Sequence, residues 1–231
     1  MSTDDLVERT LQGLHQALVN RIPAIDRNGP VLDVGCGTGA WLHRLGALGF
    51  TDLHGIDLDT SHFAADRATA TQANLDYDDI GLGSRKFSLI TAIELVEHLE
   101  NPGRLFYHVS RHLEDDGIFI MTTPNIHSAL ARMRFFVTGN LKQFDIKGDP
   151  THIYPVLLTS LERVLPRHGL AILNRWNFPE YGSITSRFST KMAAKLARFV
   201  VPDPDPGDIL CMMIGKFNPG GVDKLARPPA G

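Results

Sequence analysis

The feature that most constrains the fold is a short apolar run that leads directly into three closely spaced glycines. Residues 31–34 form a Val-Leu-Asp-Val stretch that predicts a buried strand, and Gly35, Gly37 and Gly39 follow before a helix predicted over 40–48. Glycine lets the backbone approach a ligand closely, and the N-terminus of the following helix offers unpaired N–H groups. The unit therefore predicts an α/β domain with a ligand site after its first strand.

Apolar periodicity between residues 31 and 124 alternates between strand-like runs and helical stripes. Strands that alternate with helices in this way are typical of a parallel, doubly wound sheet. The predicted strands cover 31–34, 53–56, 87–93, 118–122, 170–176 and 209–217, and the predicted helices cover 6–22, 40–48, about 60–70, the stretch that starts at Asn101, 156–168 and 187–201.

Composition limits the classes of function. The 231 residues carry a formal net charge of −3, which argues against a dedicated nucleic-acid binder. The two cysteines form no paired metal spacing, and the N-terminus resembles no signal peptide, so we expect a cytoplasmic protein. We expect one domain over 1–218 and a disordered tail, rich in glycine and proline, over 219–231. The oligomeric state is left open.

An acidic residue follows the second predicted strand. Asp57 comes after Gly55-Ile56, and a carboxylate at that position can accept hydrogen bonds from both hydroxyls of a ribose. The glycine spacing, Gly35-x-Gly37-x-Gly39, differs from the longer G-x-G-x-x-G pattern of dinucleotide-binding dehydrogenases. An adenosine-containing ligand other than a dinucleotide is therefore expected.

These features together resemble the class I S-adenosylmethionine-dependent methyltransferases. The resemblance runs over residues 31–124 and includes Glu94-x-x-Glu97-His98 and Thr122-Thr123-Pro124-Asn125. It implies a Rossmann-like, seven-stranded, mostly parallel sheet whose last strand is antiparallel. It also implies that the glycine turn receives the methionine end of the cofactor, above Asp33, and that Leu75 and Asp76 meet the adenine ring. The cofactor-binding residues implied are Asp33, Gly35, Cys36, Gly37, Gly39, Asp57, Leu58, Leu75, Asp76 and Ile93.

Glu94, Glu97 and His98 form a second cluster, just after the strand predicted over 87–93. On a helical turn, residues at i, i+3 and i+4 share one face. Two carboxylates and an imidazole there suit Mg²⁺ or Mn²⁺, which could activate a hydroxyl of a vicinal diol. The cluster resembles those of the ubiquinone-biosynthesis O-methyltransferases and the small-RNA 2′-O-methyltransferases. That resemblance implies His152 as the fourth ligand.

Two metal-free interpretations of the same cluster stay open. In one, His98 or His152 is the general base for a hydroxyl, because histidine titrates near neutrality, and Glu94 positions the substrate or the cofactor amine. In the other, Glu97 and His98 belong to a solvated first helical turn. Activity in the presence of a chelator distinguishes the metal interpretation from the other two.

Two basic, apolar segments lie after the cofactor-binding half. Residues 126–155 are expected to form a substrate lid, and 187–201 are expected to form a basic amphipathic helix. Either segment can face the inner surface of the membrane or a lipid-linked or anionic substrate. The spacing of their aromatic residues favours the other interpretation, in which they are cover helices that pack into the core.

The expected function is transfer of a methyl group to a hydroxyl of a small molecule, sugar or glycan. RNA is disfavoured as the acceptor by the acidic net charge and the short lid. N- or C-methylation of a small metabolite and a non-catalytic cofactor-binding module remain alternatives, because one fold serves many chemistries.

Overall fold

The computed structural model describes residues 6–146, 148–184 and 206–217. Seven strands form one sheet with helices on both faces. The strands are β1 (Pro30–Val34), β2 (Asp52–Asp57), β3 (Thr69–Gln72), β4 (Phe87–Ala92), β5 (Leu113–Pro124), β6 (Leu170–Phe178) and β7 (Ile209–Lys216). The helices are α1 (Leu14–Val19), α2 (Ala40–Ala47), α3 (Pro102–His112), α4 (Ala129–Thr138) and α5 (Leu158–Val164), with 3₁₀ turns at Val96–His98 and Leu165–His168.

The strand order is β3-β2-β1-β4-β5-β7-β6. Strand β7 is antiparallel to both of its neighbours, β5 and β6, and the other six strands run in one direction. The predicted seven-stranded, mostly parallel sheet with an antiparallel last strand is confirmed. Because the chain leaves β1 toward β2 on one side and later returns to β4 on the other, a crevice opens beyond the carboxyl end of β1.

The central strands β1, β2, β4, β5 and β7 are mostly buried on both faces, as their apolar sequences predict. One core, around Phe87 and Phe119, packs against α3 and α5, and the other, around Leu14 and Leu42, packs against α1 and α2. The carboxyl edge of the parallel strands is therefore where polar side chains gather.

The predicted helix over about 60–70 is wrong. Residues 60–68 form turns and irregular backbone, and β3 begins at Thr69. This strand has too little apolar alternation to be recognised, because it lies at the edge of the sheet and is only partly buried. Its threonines contact a buried histidine of β2: Thr69 Oγ1 lies 2.7 Å from His54 Nδ1, and Thr71 Oγ1 lies 3.1 Å from His54 Nε2.

The leading helix is shorter than predicted. Gly13, at φ +87°, precedes α1, which covers 14–19 rather than 6–22. The residues before it run beside the glycine turn, where the Thr38 hydroxyl donates to the Val7 carbonyl over 3.1 Å. Strand β5 begins five residues earlier than predicted, at Leu113.

The lid differs from the favoured prediction. Helix α4 buries only Ala129 and Ala131, whereas Phe135, Phe136 and Val137 are 52%, 85% and 73% exposed. The interpretation of this segment as a cover helix with a buried aromatic stripe is therefore wrong for α4. The predicted basic helix over 187–201 and the predicted tail over 219–231 lie outside the described residues. Among the described residues, the helices are all too short or too polar to cross a membrane.

Candidate functional site

The glycine turn follows β1 and has the backbone conformation that its sequence requires. Gly35, Gly37 and Gly39 have φ values of +78°, +50° and +83°, in the left-handed region that favours glycine. A Cβ on Gly35 would lie 2.7 Å from a methyl carbon of Leu95, and one on Gly39 would lie 2.7 Å from Ala65. A Cβ on Gly37 would have no atom within 4 Å. Gly35 and Gly39 thus allow close packing, and Gly37 faces open space.

Two aspartates lie beneath and beside this turn. Asp33 is buried, and the Thr91 hydroxyl donates to its carboxylate over 2.6 Å; burial raises the pKa of Asp33 to about 7. Asp57 accepts a hydrogen bond from Gly37 N over 2.7 Å through Oδ2 and one from Asp59 N over 3.1 Å through Oδ1. The carboxylate of Asp57 is therefore fixed beside Gly37.

The other predicted cofactor residues differ among themselves in exposure and in their hydrogen bonds. Cys36 is buried, and burial raises the pKa of its thiol. Leu58 is 63% exposed, while Leu75 and Ile93 are buried. Asp76 accepts hydrogen bonds from Asn101 N over 2.6 Å and from Glu100 N over 3.2 Å, so it holds the start of α3. The adenine contact expected of Asp76 stays a prediction.

The Glu94-x-x-Glu97-His98 cluster adopts a different backbone from the predicted helical turn. Glu94 has φ +50°, and only Val96–His98 form a 3₁₀ turn. The left-handed residue interrupts the helix, so Glu94 does not share a face with the other two. One ligand atom each of Glu97, His98 and His152 lies within 4.8 Å of the others. Three of the four predicted metal ligands therefore converge, and Glu94 lies outside the trio.

Glu94 and Glu97 each contact a threonine of β5. The Thr122 hydroxyl accepts from Glu94 N and donates to Glu94 Oε1, both over 3.0 Å. The Thr123 hydroxyl donates to Glu97 Oε2 over 3.0 Å. Burial raises the pKa of Glu94 to about 7, and burial together with the nearby charge of Glu94 raises the pKa of Glu97 well above its ordinary value.

The second carboxylate oxygen of Glu97 is buried without a hydrogen-bond partner among the described residues. Leaving a buried polar atom unpaired costs on the order of 1–3 kcal/mol, and more for a charged group. Such an atom beside two imidazoles needs either a proton or a cation. It is the strongest single indication that this cluster binds something.

The hydrogen bonds of His98 fix its tautomer. The Thr151 hydroxyl lies 2.8 Å from His98 Nδ1 and donates its one hydrogen to Asp149 Oδ1 over 2.5 Å. It must therefore accept from His98 Nδ1–H, which leaves the Nε2 lone pair of neutral His98 available. Burial, and then the proximity of His152, lower the pKa of His98, which favours this neutral form.

His152 is oriented in the same way. Its Nδ1 lies 3.0 Å from the carbonyl oxygen of Gln143, and a carbonyl can only accept, so Nδ1 carries the hydrogen. The two imidazole rings meet nearly edge-on, with centroids 4.7 Å apart, and Phe144 packs against His152 at 5.5 Å. Both neutral histidines thus keep the Nε2 lone pair free of these two bonds, in a cluster that also contains the Glu97 carboxylate.

This donor set fits a divalent cation. Metal-bound histidines usually donate their other ring N–H to a carbonyl or a carboxylate-linked group, as both do here. Two imidazoles and one carboxylate suit a borderline ion such as Mn²⁺ better than Mg²⁺, which prefers oxygen ligands. The predicted solvated turn is wrong for Glu97, which is fully buried.

The partners that orient these groups were not predicted from the sequence. Thr122 and Thr123 belong to a stretch that the family resemblance includes, but nothing assigned a role to their hydroxyls. Thr151 contacts His98 across 53 residues, and Gln143 contacts His152 through the fold of the lid. An Asp-x-Thr-His string, which begins at Asp149, was the available signal for the turn that orients His98.

Comparisons with known proteins identify the family of the chain. A family model described as a methyltransferase domain matches residues 7–174. The chain is 30% identical over 107 residues to the ubiquinone biosynthesis O-methyltransferase of Glaesserella parasuis, covering 41% of this chain and 45% of that protein. It is 30% identical over 142 residues to the protein of the same name from Psychrobacter cryohalolentis, covering 57% and 54%. The chain thus spans about half the length of these curated relatives.

Solved structures show the same fold at low identity. A SAM-dependent methyltransferase from Archaeoglobus fulgidus superposes with a TM-score of 0.60 at 18% identity, over 88% of this chain and 93% of that one. An S-adenosylmethionine-dependent methyltransferase from Mesorhizobium loti superposes with a TM-score of 0.56 at 19% identity, over 86% and 95%. At such identities the likeness concerns the fold alone.

Proposed function

The chain belongs to the methyltransferase-domain family, and from this premise we propose that it uses S-adenosylmethionine to methylate a hydroxyl oxygen of a small molecule, sugar or glycan. One observation carries the proposal: Glu97, His98 and His152 converge. Glu97 and His98 follow Leu95, whose side chain packs on Gly35 of the glycine turn. An acceptor held there would lie at the methionine end of the cofactor.

The cofactor would occupy the crevice beyond β1. Gly37 leaves room for its methionine end, and Asp57 would accept from the ribose hydroxyls. Leu75 and Asp76 are the proposed contacts to the adenine, with the backbone of Ile93 beside it. The carboxylate of Asp57, which is held by the backbone N–H of Gly37, supports this arrangement, since Gly37 has no side chain to fill the adjacent space.

The transfer itself needs alignment and one proton acceptor. The acceptor oxygen attacks the methyl carbon in line with the sulfur; the O–C bond forms, the C–S bond breaks, and its electron pair stays on sulfur. Alignment supplies much of the rate. In a metal-free reaction, Nε2 of His98 or His152 would take the hydroxyl proton.

A bound divalent cation would lower the pKa of a coordinated hydroxyl and favour a vicinal diol. Glu97 and the Nε2 atoms of both histidines would hold it. Those two nitrogens would then be unavailable as bases, and Glu94 would be the remaining proton acceptor of the cluster, since burial raises the pKa of its carboxyl in the metal-free protein. Glu94 would thus act as a proton acceptor and not as a ligand.

The test is transfer of a tritiated methyl group by the purified chain to a catechol, a sugar with adjacent hydroxyls, and a monohydroxy phenol. We expect the diols to be preferred, activity to be lost in EDTA, and Mn²⁺ to restore it more fully than Mg²⁺. Unchanged activity in EDTA would eliminate the metal and leave a histidine base. Product mass and regiochemistry distinguish O-methylation from N- or C-methylation. Cofactor binding without transfer to any fraction of a cell extract would indicate a binding module instead.

The exposed apolar end of α4 supports an acceptor with lipid character or one at a membrane surface. Three consecutive residues, Phe135–Val137, are more than half exposed in the segment proposed as the substrate lid. Exposed aromatic and aliphatic side chains of this kind insert into lipid interfaces. Co-sedimentation with anionic vesicles at low salt is the measurement, and absence of binding would remove this part of the proposal.

A further inference from the structure

A lysine in the lid reaches back to the core of the protein. The Nζ atom of Lys142 lies 2.5 Å from Oδ1 of Asp208, which immediately precedes β7. The lysine side chain is 13% exposed and the aspartate side chain 1%. Asp208 also accepts from Ser183 Oγ over 2.6 Å and from Ile184 N over 2.7 Å. The lid is thus anchored to a buried carboxylate that is itself held by other donors.

The next residue is the one that orients His152. Gln143 has φ +71°, a left-handed conformation that a non-glycine residue keeps only where its surroundings enforce it. Its carbonyl accepts the hydrogen of His152 Nδ1. On the other side the backbone of Gly148 approaches so closely that a Cβ there would lie 2.6 Å from the same oxygen. The direction of this carbonyl is therefore tightly constrained.

We propose that Lys142, through its ion pair with Asp208, is a positioning residue that fixes the Gln143 carbonyl and thereby holds His152, which converges with Glu97 and His98, in the Nδ1–H tautomer that leaves the lone pair on Nε2. The role of that lone pair, as ligand or base, rests on the proposed function; the positioning does not. Asp208 also accepts hydrogen bonds from Ser183 and Ile184. Loss of Lys142 should therefore free the lid residue Gln143 and leave Asp208 in its position.

The geometry supplies an internal reference. His98 is oriented by Thr151 and Asp149, which belong to a turn closed by bonds from Thr151 N to Asp149 Oδ1 and from His152 N to the Asp149 carbonyl. Among the described residues, the hydrogen bonds of Lys142 go to Asp208 and Ser183 and not to this turn. A change at Lys142 should therefore alter the tautomer of His152 and leave that of His98 unchanged.

The experiment is long-range ¹H–¹⁵N correlation NMR of the metal-free full chain, which reports the tautomer of each histidine. His98→Gln and His152→Gln assign the two signals. We expect wild type to show Nδ1–H for both. Lys142→Met should give a mixture or Nε2–H at His152 only, and should weaken Mn²⁺ binding by roughly 10- to 100-fold, the range for residues that orient metal ligands. Lys216→Met, which removes an ion pair with Asp115 at the other end of β7, is the matched control and should change neither signal.

Two results would overturn the proposal: an Nε2–H tautomer at His152 in wild type, or an unchanged Nδ1–H signal in Lys142→Met with Mn²⁺ affinity within about twofold of wild type. Should Lys142→Met fail to fold, Lys142→Gln, which removes the charge of the ion pair with Asp208, replaces it, and an unchanged Nδ1–H signal of His152 with unchanged Mn²⁺ affinity would equally overturn the proposal. Failure of wild type to bind Mn²⁺ would contradict metal assistance, while the tautomer of His152 would still decide the role of Lys142.

Discussion

The cofactor half, residues 30–92, and the acceptor side, formed by Glu97, His98 and the lid over 126–155, are built in different ways. At the glycine turn of the cofactor half the functional carboxylate comes from the neighbouring strand: Asp57 bonds to Gly37, twenty residues away. On the acceptor side Thr151 orients His98 across 53 residues, and Asp208 anchors Lys142 across 66. The glycine turn depends on local backbone conformation, whereas the acceptor side depends on contacts between segments that are far apart in the sequence.

This difference predicts that substitutions in the two regions fail differently. Changes in the cofactor half should disturb folding and cofactor binding together, because the turn is both packing and site. Changes on the acceptor side should disturb chemistry and leave the fold intact. Four substitutions test the contrast, from the largest expected effect to the smallest.

Gly39→Ala should cost the most. Its φ of +83° strains any side chain, and the new Cβ would lie 2.7 Å from Ala65 and from Phe63, so we expect a loss of about 3 kcal/mol in the free energy of unfolding. Binding of S-adenosylhomocysteine should weaken at least tenfold, because the displaced backbone belongs to the turn that is proposed to hold the cofactor.

The matched control is Gly139→Ala at the end of α4, where φ is +69° but no atom lies within 4 Å of the new Cβ. It should cost about 1 kcal/mol and leave cofactor binding unchanged. Urea denaturation and titration calorimetry measure both quantities. Equal losses in the two variants would show that packing around the turn is unimportant.

Glu97→Gln should separate chemistry from stability. Burial raises the pKa of Glu97 well above its ordinary value, which favours the neutral carboxyl in the metal-free protein, so a neutral amide of the same shape should change the free energy of unfolding by less than about 1 kcal/mol. Methyl transfer and Mn²⁺ affinity should both fall about 100-fold, because an amide is a poor ligand. Thr123→Val, which removes only the donor to Glu97 Oε2, should have a smaller effect. Full activity in Glu97→Gln would exclude Glu97 from the site.

Asp33 predicts a dependence of stability on pH. A carboxyl whose pKa is higher in the folded chain binds its proton more tightly when folded, so its contribution is complete below the unfolded pKa and is lost as pH rises through about 7. Asp33→Asn should remove this slope, so that the variant gains about 2 kcal/mol relative to wild type between pH 5 and pH 7.5. Denaturant titrations across that range measure the difference. Parallel curves for the two proteins would contradict the burial of Asp33 as the cause.

Phe136→Ser should have the smallest effect on the fold. The side chain is 85% exposed, so the free energy of unfolding should stay within about 0.5 kcal/mol of wild type, while binding to anionic vesicles should weaken. Phe217→Ser is the control and should leave vesicle binding unchanged. Phe217 is half-exposed and follows β7, at the end of the sheet opposite to the carboxyl ends of the parallel strands. A stability loss of about 3 kcal/mol in Phe136→Ser would show that the residue is a core residue after all.

The same contrast explains how much could be predicted from the sequence. The sheet and the turn are predictable because glycines in the left-handed region and buried apolar runs have few structural solutions. Strand β3 was missed because an edge strand of threonine, alanine and glutamine carries no apolar alternation. The aromatic residues of α4 were expected in the core because spacing along a helix shows which residues share a face, and not what that face contacts.

At the acceptor side, residue types were predictable and geometry was not. Glu97, His98 and His152 were identified as a group, but the positive φ of Glu94, which turns its carboxylate toward Thr122, has no sequence signature in a non-glycine residue. The tautomers of the two histidines depend on the Gln143 carbonyl and the Thr151 hydroxyl, which only the folded chain brings into contact with them.

Electron spin echo spectroscopy of the Mn²⁺-loaded full chain tests the central claim most directly, that the acceptor side is a metal-binding centre assembled from Glu97, His98 and His152. The geometry predicts nitrogen couplings from two histidines, one lost in His98→Gln and the other in His152→Gln, with neither lost in Glu94→Gln. A bound Mn²⁺ without histidine couplings, or couplings that persist in both histidine variants, would contradict it.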